Sequence, residues 1–144
     1  IDDFERIIEN VSRNKTLRYV ALNVFNEPLL DKYFPDRIRL LHRYGLRLML
    51  NTNASHLNES VLHLLSEYQI VEKLLINFPS PEQKDFYRMT GYRNLDRVMK
   101  NIQTAVNLHF PCEIAVNGTH EDRIKAYPAI QRLWGEDQCY NHQL

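Results

Sequence analysis

Tyr19-Val20-Ala21-Leu22-Asn23-Val24-Phe25-Asn26-Glu27-Pro28-Leu29-Leu30 is an apolar run that breaks into Asn-Glu-Pro. The run predicts a buried strand, and Pro28, which has no amide hydrogen to give to a ladder, ends it. The turn therefore delivers a carboxylate, Glu27, to the carboxyl end of a strand. A cleft and its chemistry are expected to begin there.

The neighbouring segments alternate in type. Phe4, Ile7, Ile8 and Val11 recur at helical spacing behind Asp2 and Asp3, either of which is a possible cap. Residues 17–24 form the first strand, and a helix over residues 35–44 follows, closed by Gly45. A second strand, residues 46–50, stops at Asn51-Thr52-Asn53-Ala54. Asn58 then caps a helix that buries Val61, Leu62 and Leu65. A third strand, 73–76, ends at Asn77-Phe78-Pro79-Ser80, and a short helix over 81–88 leads to the turn Met89-Thr90-Gly91. Asn94 caps the clearest helix, striped by Leu95, Val98, Met99, Ile102, Ala105 and Val106. The fourth strand, 113–116, ends at Asn117-Gly118. A last helical stretch, 121–134, is expected to kink or restart at Pro128 and to close at Gly135.

Four alternations of strand and helix predict an α/β fold with a parallel sheet and right-handed crossovers. The strand runs are apolar throughout, as in strands covered on both faces. The 144 residues fit a single domain, and 44% apolar with 25% charged residues is ordinary for a chain that buries a core. Eighteen basic and eighteen acidic side chains cancel. No field draws in nucleic acid or anionic lipid, so neither partner is expected. No apolar run reaches the length of a membrane span and no signal peptide opens the chain, which reads as cytoplasmic. Cys112 and Cys139 form no pair with metal-ligand spacing, and the six histidines form no HExxH pair.

Every strand ends on an asparagine: Asn26 beside Glu27, Asn51 with Thr52 and Asn53, Asn77, and Asn117. In parallel α/β sheets and barrels the carboxyl ends of the strands line the ligand site. Asparagine also suits the turns that follow strands, so one such residue says little. Four together, with Glu27 and Thr52, describe one polar mouth for a ligand.

In this order the motifs resemble the middle of a radical S-adenosylmethionine enzyme. Phe25-Asn26-Glu27-Pro28 stands where that family has GGEP, Asn51-Thr52-Asn53-Ala54 where it has a TNG-like turn, and Ile76-Asn77-Phe78 at the next strand end. Phe86-Tyr87-Arg88-Met89-Thr90-Gly91, followed by Asn94-Leu95-Asp96-Arg97-Val98-Met99-Lys100-Asn101-Ile102, matches the run-in to the following strand. The resemblance implies a partial (β/α)6 TIM-like barrel in which this chain supplies strands two to five, with residues 1–135 in the barrel and 136–144 opening a C-terminal extension. It implies S-adenosylmethionine as cofactor together with a 4Fe-4S cluster, and a 5′-deoxyadenosyl radical that abstracts hydrogen from a substrate. That substrate is unnamed by the sequence; a peptide is suggested only because peptide-modifying members are numerous. Carried over by position, Glu27 and the Asn26 backbone receive the methionyl amine beside Pro28. Asn77 meets the ribose, and Thr52, Asn53 and Asn117 complete the adenosyl wall. An ammonium wants a carboxylate, and ribose hydroxyls want a group that donates and accepts, which fits those assignments.

The chain departs from the family where Phe25 and Asn26 replace both glycines of GGEP, and it contains no CxxxCxxC. The expectation is that the chain is an excerpt whose cluster ligands lie upstream of Ile1. As it stands it holds no cluster and is inactive alone. Two other readings compete: a barrel without a cluster that serves as a binding module, and a retaining glycosidase with Glu27 as acid/base, which needs a second carboxylate about 5 Å away.

Overall fold

A computed structural model describes residues 1–17, 19–22 and 26–140. Asn23 and Val24, the end of the expected first strand, Phe25 of the GGEP-like turn, and His142, whose spacing from Cys139 suggests a metal pair, lie outside the described residues. The chain runs α1 (Asp2–Ser12), β1 (Tyr19–Ala21), a 3-10 turn (Pro28–Leu30), α2 (Phe34–Arg43), β2 (Arg47–Thr52), α3 (Glu59–Tyr68) and β3 (Val71–Asn77). It continues through α4 (Gln83–Thr90), α5 (Leu95–Asn107), β4 (Cys112–Ala115), α6 (His120–Trp134) and β5 (Cys139–Tyr140). All adjacent strands pair in parallel and in chain order, β1-β2-β3-β4-β5.

Consecutive order with right-handed crossovers puts every helix on the same side of the sheet, as in one arc of a βα barrel. Burial follows that geometry. Leu48, Leu50, Leu74, Ile76 and Ile114 are completely buried under the helices with Ile38, Leu41, Leu62, Leu65, Ile102 and Ile130. The other face carries Tyr19, Met49, Asn51, Leu75 and Asn77, all at least partly exposed. The expectation of strands covered on both faces fails for this reason: an arc has an inner face that only the rest of a barrel encloses. The sheet also runs past Gly135, where the sequence reading ended the barrel, because Cys139 and Tyr140 pair with Ile114 and Ala115.

Several local expectations shift by a few residues. The first helix is capped by Ile1 without a side-chain bond, not by Asp2 or Asp3. Asn58 and Asn94 do cap α3 and α5, accepting from the amides of Val61 and Arg97. Pro128 lies inside α6 without interrupting it. Thr119 begins α6 with a capping box: its hydroxyl accepts from the Asp122 amide while the Asp122 carboxylate accepts from the Thr119 amide.

β3 contains an irregularity that decides which residues face the open side. Leu48 pairs with Val71 but Met49 pairs with Lys73, so Glu72 is an extra residue in the ladder. Such a bulge inverts the facing of everything after it. Leu74 and Ile76 consequently point at the helices, while Lys73, Leu75 and Asn77 take the inner face. Lys73 there pairs with Glu113 of β4 at 2.6 Å.

α4 is fixed at the carboxyl ends of the strands in two ways. Phe86 packs on Phe78, which stands edge-on to Trp134. On the surface, Arg88 pairs with Asp122 and Lys125 with Asp85, joining α4 to α6. Lys125 holds the Asp85 carboxyl below its ordinary value of 3.8, and Asp122 is held below it by Thr119 first and then by Arg88. Gly118, in the loop before α6, has φ 129°, and a Cβ there would meet the Asp122 Cβ at 2.9 Å and the Met89 Cε at 2.5 Å.

Two outcomes follow. Gly118→Ala should destabilise the chain by about 1–3 kcal/mol in urea unfolding, and adding Met89→Ala should recover only part, since the backbone conformation and the Asp122 contact remain. Because the folded pKa values of Asp85 and Asp122 are depressed, their contribution is complete above about 3.8 and is lost as pH falls through the lower folded values. Melting temperature followed from about pH 5 to about pH 2 should therefore fall less steeply in an Asp85→Asn/Asp122→Asn double variant than in the parent.

Candidate functional site

The Asn-Glu-Pro turn closes onto the neighbouring strand through one carboxylate. Glu27 Oε1 accepts from the Thr52 hydroxyl at 2.6 Å and from the Leu29 amide at 3.3 Å, and Oε2 accepts from the Asn53 amide at 2.8 Å. Pro28 is buried at the first position of the 3-10 turn, and Glu27 caps that turn. An ionised carboxylate has about four lone-pair directions. Among the described residues three are taken, and one on Oε2 is left for a donor from outside.

Thr52 sits differently from the expectation of an adenosyl wall. It alternates with Leu48 and Leu50 on the helix-covered face and is only 2% exposed. Its hydroxyl donates to Glu27 and accepts from the Ala54 amide at 3.1 Å. Thr52 is thus a positioning group for Glu27. The following turn resembles TNG in geometry: Ala54, at the glycine position, has φ 59°. An L residue held there costs about 1–2 kcal/mol. Asn101 of α5, buried in the core, offsets part of this by donating Nδ2 to the Ala54 carbonyl at 2.8 Å. Asn101 was legible only as one position of a helix, since nothing in its spacing marks a partner 47 residues away.

Asn53 and Asn77 meet at a cavity of about 360 Å³, lined also by Ser55, Phe86, Thr90, Tyr92 and Val98. Asn53 Oδ1 accepts from the Ser55 amide at 2.9 Å, and Asn77 Nδ2 donates to Asn51 Oδ1 at 2.6 Å. Glu27 is outside this lining but is tied to it through the Asn53 backbone. Asn26 and Asn117 stand exposed at the ends of the segments after β1 and β4 and are not among the residues that line this cavity. Glu113, the other carboxylate that strand four offered, is engaged by Lys73 near the start of its strand, which leaves the glycosidase pairing without support.

Among the described residues no group of three or more His, Cys, Asp or Glu could hold a metal ion. Burial pushes the Cys112 thiol up to about 12 and the Cys139 thiol up to about 11, so both are protonated near neutrality. No described helix is long and apolar enough to cross a membrane.

No protein-family model matches the chain. Two curated proteins do, both named "Probable GTP 3',8-cyclase": one from Pyrococcus abyssi, 28% identical over 126 residues, and one from Pyrococcus horikoshii, 27% identical over 129. Each alignment takes in 85% of this chain and 40% or 39% of the relative, so the chain spans about two fifths of their length. Among solved structures, Streptococcus suis SuiB bound to S-adenosylmethionine superposes with a TM-score of 0.73 at 16% identity, over 99% of this chain and 34% of that one. A domain of pyruvate-formate lyase-activating enzyme from Bacteroides vulgatus superposes at 0.67 and 17% identity, over 81% of this chain and 71% of that one. These likenesses in sequence and in fold support the resemblance to radical S-adenosylmethionine enzymes that the motifs carry.

In the partial barrel β1 to β4 take the places expected of strands two to five, and the clamp on Glu27 joins the segment after β1 to the end of β2. Thr52→Val should remove a donor from Glu27 and strand the Ala54 amide, costing about 1–3 kcal/mol in urea unfolding, whereas Thr52→Ser should recover most of it. Equal losses in both variants would mean that packing of the methyl group, not the hydroxyl, holds the turn.

Proposed function

We propose that the chain is the cofactor-binding core of a radical S-adenosylmethionine enzyme and that Glu27 receives the methionyl ammonium. The open lone pair on a carboxylate already fixed by three donors carries this reading. Donors locked in place before binding spare the ligand the cost of ordering the carboxylate. An ammonium brings a charge-assisted hydrogen bond, roughly twice as strong as a neutral one.

The remaining roles are assigned around that contact. Pro28 stiffens the turn, Asn26 offers its backbone carbonyl beside Glu27, and Thr52 and the Asn53 amide hold the carboxylate. Asn77 takes the ribose side, with Asn53 and Asn117 toward the rest of the adenosyl group. Asn77 Oδ1 has two lone pairs and Asn53 Nδ2 two N–H groups, enough for hydroxyl and ring partners.

This reading implies a 4Fe-4S cluster, which would supply the electron for reductive cleavage of S-adenosylmethionine when bound. The described residues do not provide its ligands, so no step is derived through it. What these residues supply is binding and orientation of the cofactor, and a wall against water formed by the buried Phe78, Phe86 and Val98. The substrate classes offered by similarity are two: the curated relatives are named for GTP, and SuiB has been solved with its precursor peptide SuiA.

Calorimetric titration of the chain with S-adenosylmethionine tests the cofactor site. Glu27→Gln, which keeps the shape but offers an amide in place of charge, should weaken binding at least about tenfold. Acetylating the amine of the ligand should weaken binding to the parent and make little difference to Glu27→Gln. Equal affinity of parent and variant for the unmodified cofactor would overturn the assignment.

A further inference from the structure

The cavity between the β2 and β3 ends and α4 has a polar arrangement of its own. Of its lining groups, the Thr90 hydroxyl is spent, donating to the Phe86 carbonyl at 2.7 Å and accepting from the Tyr92 amide at 3.1 Å. The Ser55 hydroxyl is shared with His56 Nδ1 at 2.9 Å. Asn53 and Asn77 are each half satisfied. The Ser55 amide fixes Asn53 Oδ1 as an acceptor, which leaves Asn53 Nδ2 as a donor; the bond to Asn51 leaves Asn77 Oδ1 as an acceptor. Among the described residues neither remaining group has a partner. Two residues that line the cavity thus each keep an unspent polar group, a donor on Asn53 and an acceptor on Asn77, and Phe86 and Val98, both buried, line it with them.

No charged side chain lines this space. A charged guest would be desolvated without compensation, which costs far more than burying a neutral hydrogen-bonding group. At about 360 Å³ the cavity is at the small end of ligand sites, which span about 300–1,000 Å³. It takes one planar group rather than a whole cofactor. Aromatic and aliphatic surface from Phe86, Tyr92 and Val98 suits the faces of such a group.

We propose that this cavity is a substrate subsite that reads a neutral amide edge, a carbonyl beside an N–H, by donating from Asn53 Nδ2 and accepting at Asn77 Oδ1. Two sources carry that edge: the lactam of an oxo-purine base and the carboxamide of a peptide. The inference deepens the proposed function by naming the chemistry of the substrate, and it rests on that reading only for its claim that the guest is substrate. The spare N–H of Asn53 and the spare lone pair of Asn77 let both residues face the adenosyl group at the same time. A substrate held there would lie next to the cofactor's sugar.

Ligand-observed NMR on the 144-residue chain tests the subsite with three probes: hypoxanthine for the lactam, N-acetylglycinamide for the carboxamide, and acetate as a charged control without a donor. At least one amide probe is expected to bind, acetate is not, and the side-chain amide signals of Asn53 and Asn77 should shift. Asn53→Asp keeps the acceptor for Ser55 and exchanges only the free donor for an acceptor, so affinity should fall about tenfold; Asn53→Ala should give a similar loss without adding charge. Binding of hypoxanthine alone assigns the edge to a nucleobase, and binding of the glycinamide alone assigns it to a peptide. Adenosine added at saturation should leave the amide probe bound. Failure of both amide probes, equal binding of acetate, an unchanged Asn53→Asp, or displacement by adenosine would overturn the proposal. Amide binding without S-adenosylmethionine binding would sink the cofactor reading alone, and the reverse would sink the subsite alone.

Discussion

The carboxylate of Glu27 is the constraint from which the site is built. It ends the segment after β1, yet its three donors come from the turn that follows it and from the end of β2. A side-chain bond, an intervening 3-10 turn and a buried proline thus fix the spacing of two adjacent strand ends. Removing the Asn53 amide would leave only the two bonds to Oε1, and two bonds to a single oxygen do not define the plane of the carboxylate. The geometry also explains why Thr52 can be buried and still serve the ligand: it acts on the cofactor through Glu27.

The second constraint is the extra residue in β3. Without Glu72 in the ladder, Leu74 and Ile76 would face the open side and Asn77 would face the helices, where a polar amide would need a buried partner. The bulge puts Asn77 beside Asn51 and into the cavity. α4, fixed by Phe86 and by two surface ion pairs to α6, then closes that cavity from above. Exposed ion pairs of this kind are screened by solvent and contribute little to stability, so the aromatic contact is the main anchor.

Much of the architecture was legible in the chain. Asn58 and Asn94 announced the starts of α3 and α5, Gly45 and Gly135 the ends of α2 and α6, and Pro28 a turn after the first strand, because each acts through local backbone chemistry. Among the strand-end residues, Asn53 and Asn77 line one cavity that Asn26 and Asn117 do not, and Thr52 is buried on the helix-covered face. Residue type and order could not separate these cases, since facing depends on register and on how the strands fan out.

The sequence by itself determined the alternation of elements, the parallel sheet and the order of the motifs, because periodicity, caps and breakers are properties of neighbours along the chain. Tertiary structure alone decided which strand face is covered, where the bulge falls, that Asn101 restrains Ala54 across the core, and that one donor and one acceptor remain unspent on residues that line one cavity. Those outcomes depend on pairing between residues far apart in sequence, and no local pattern encodes the register in which distant strands meet.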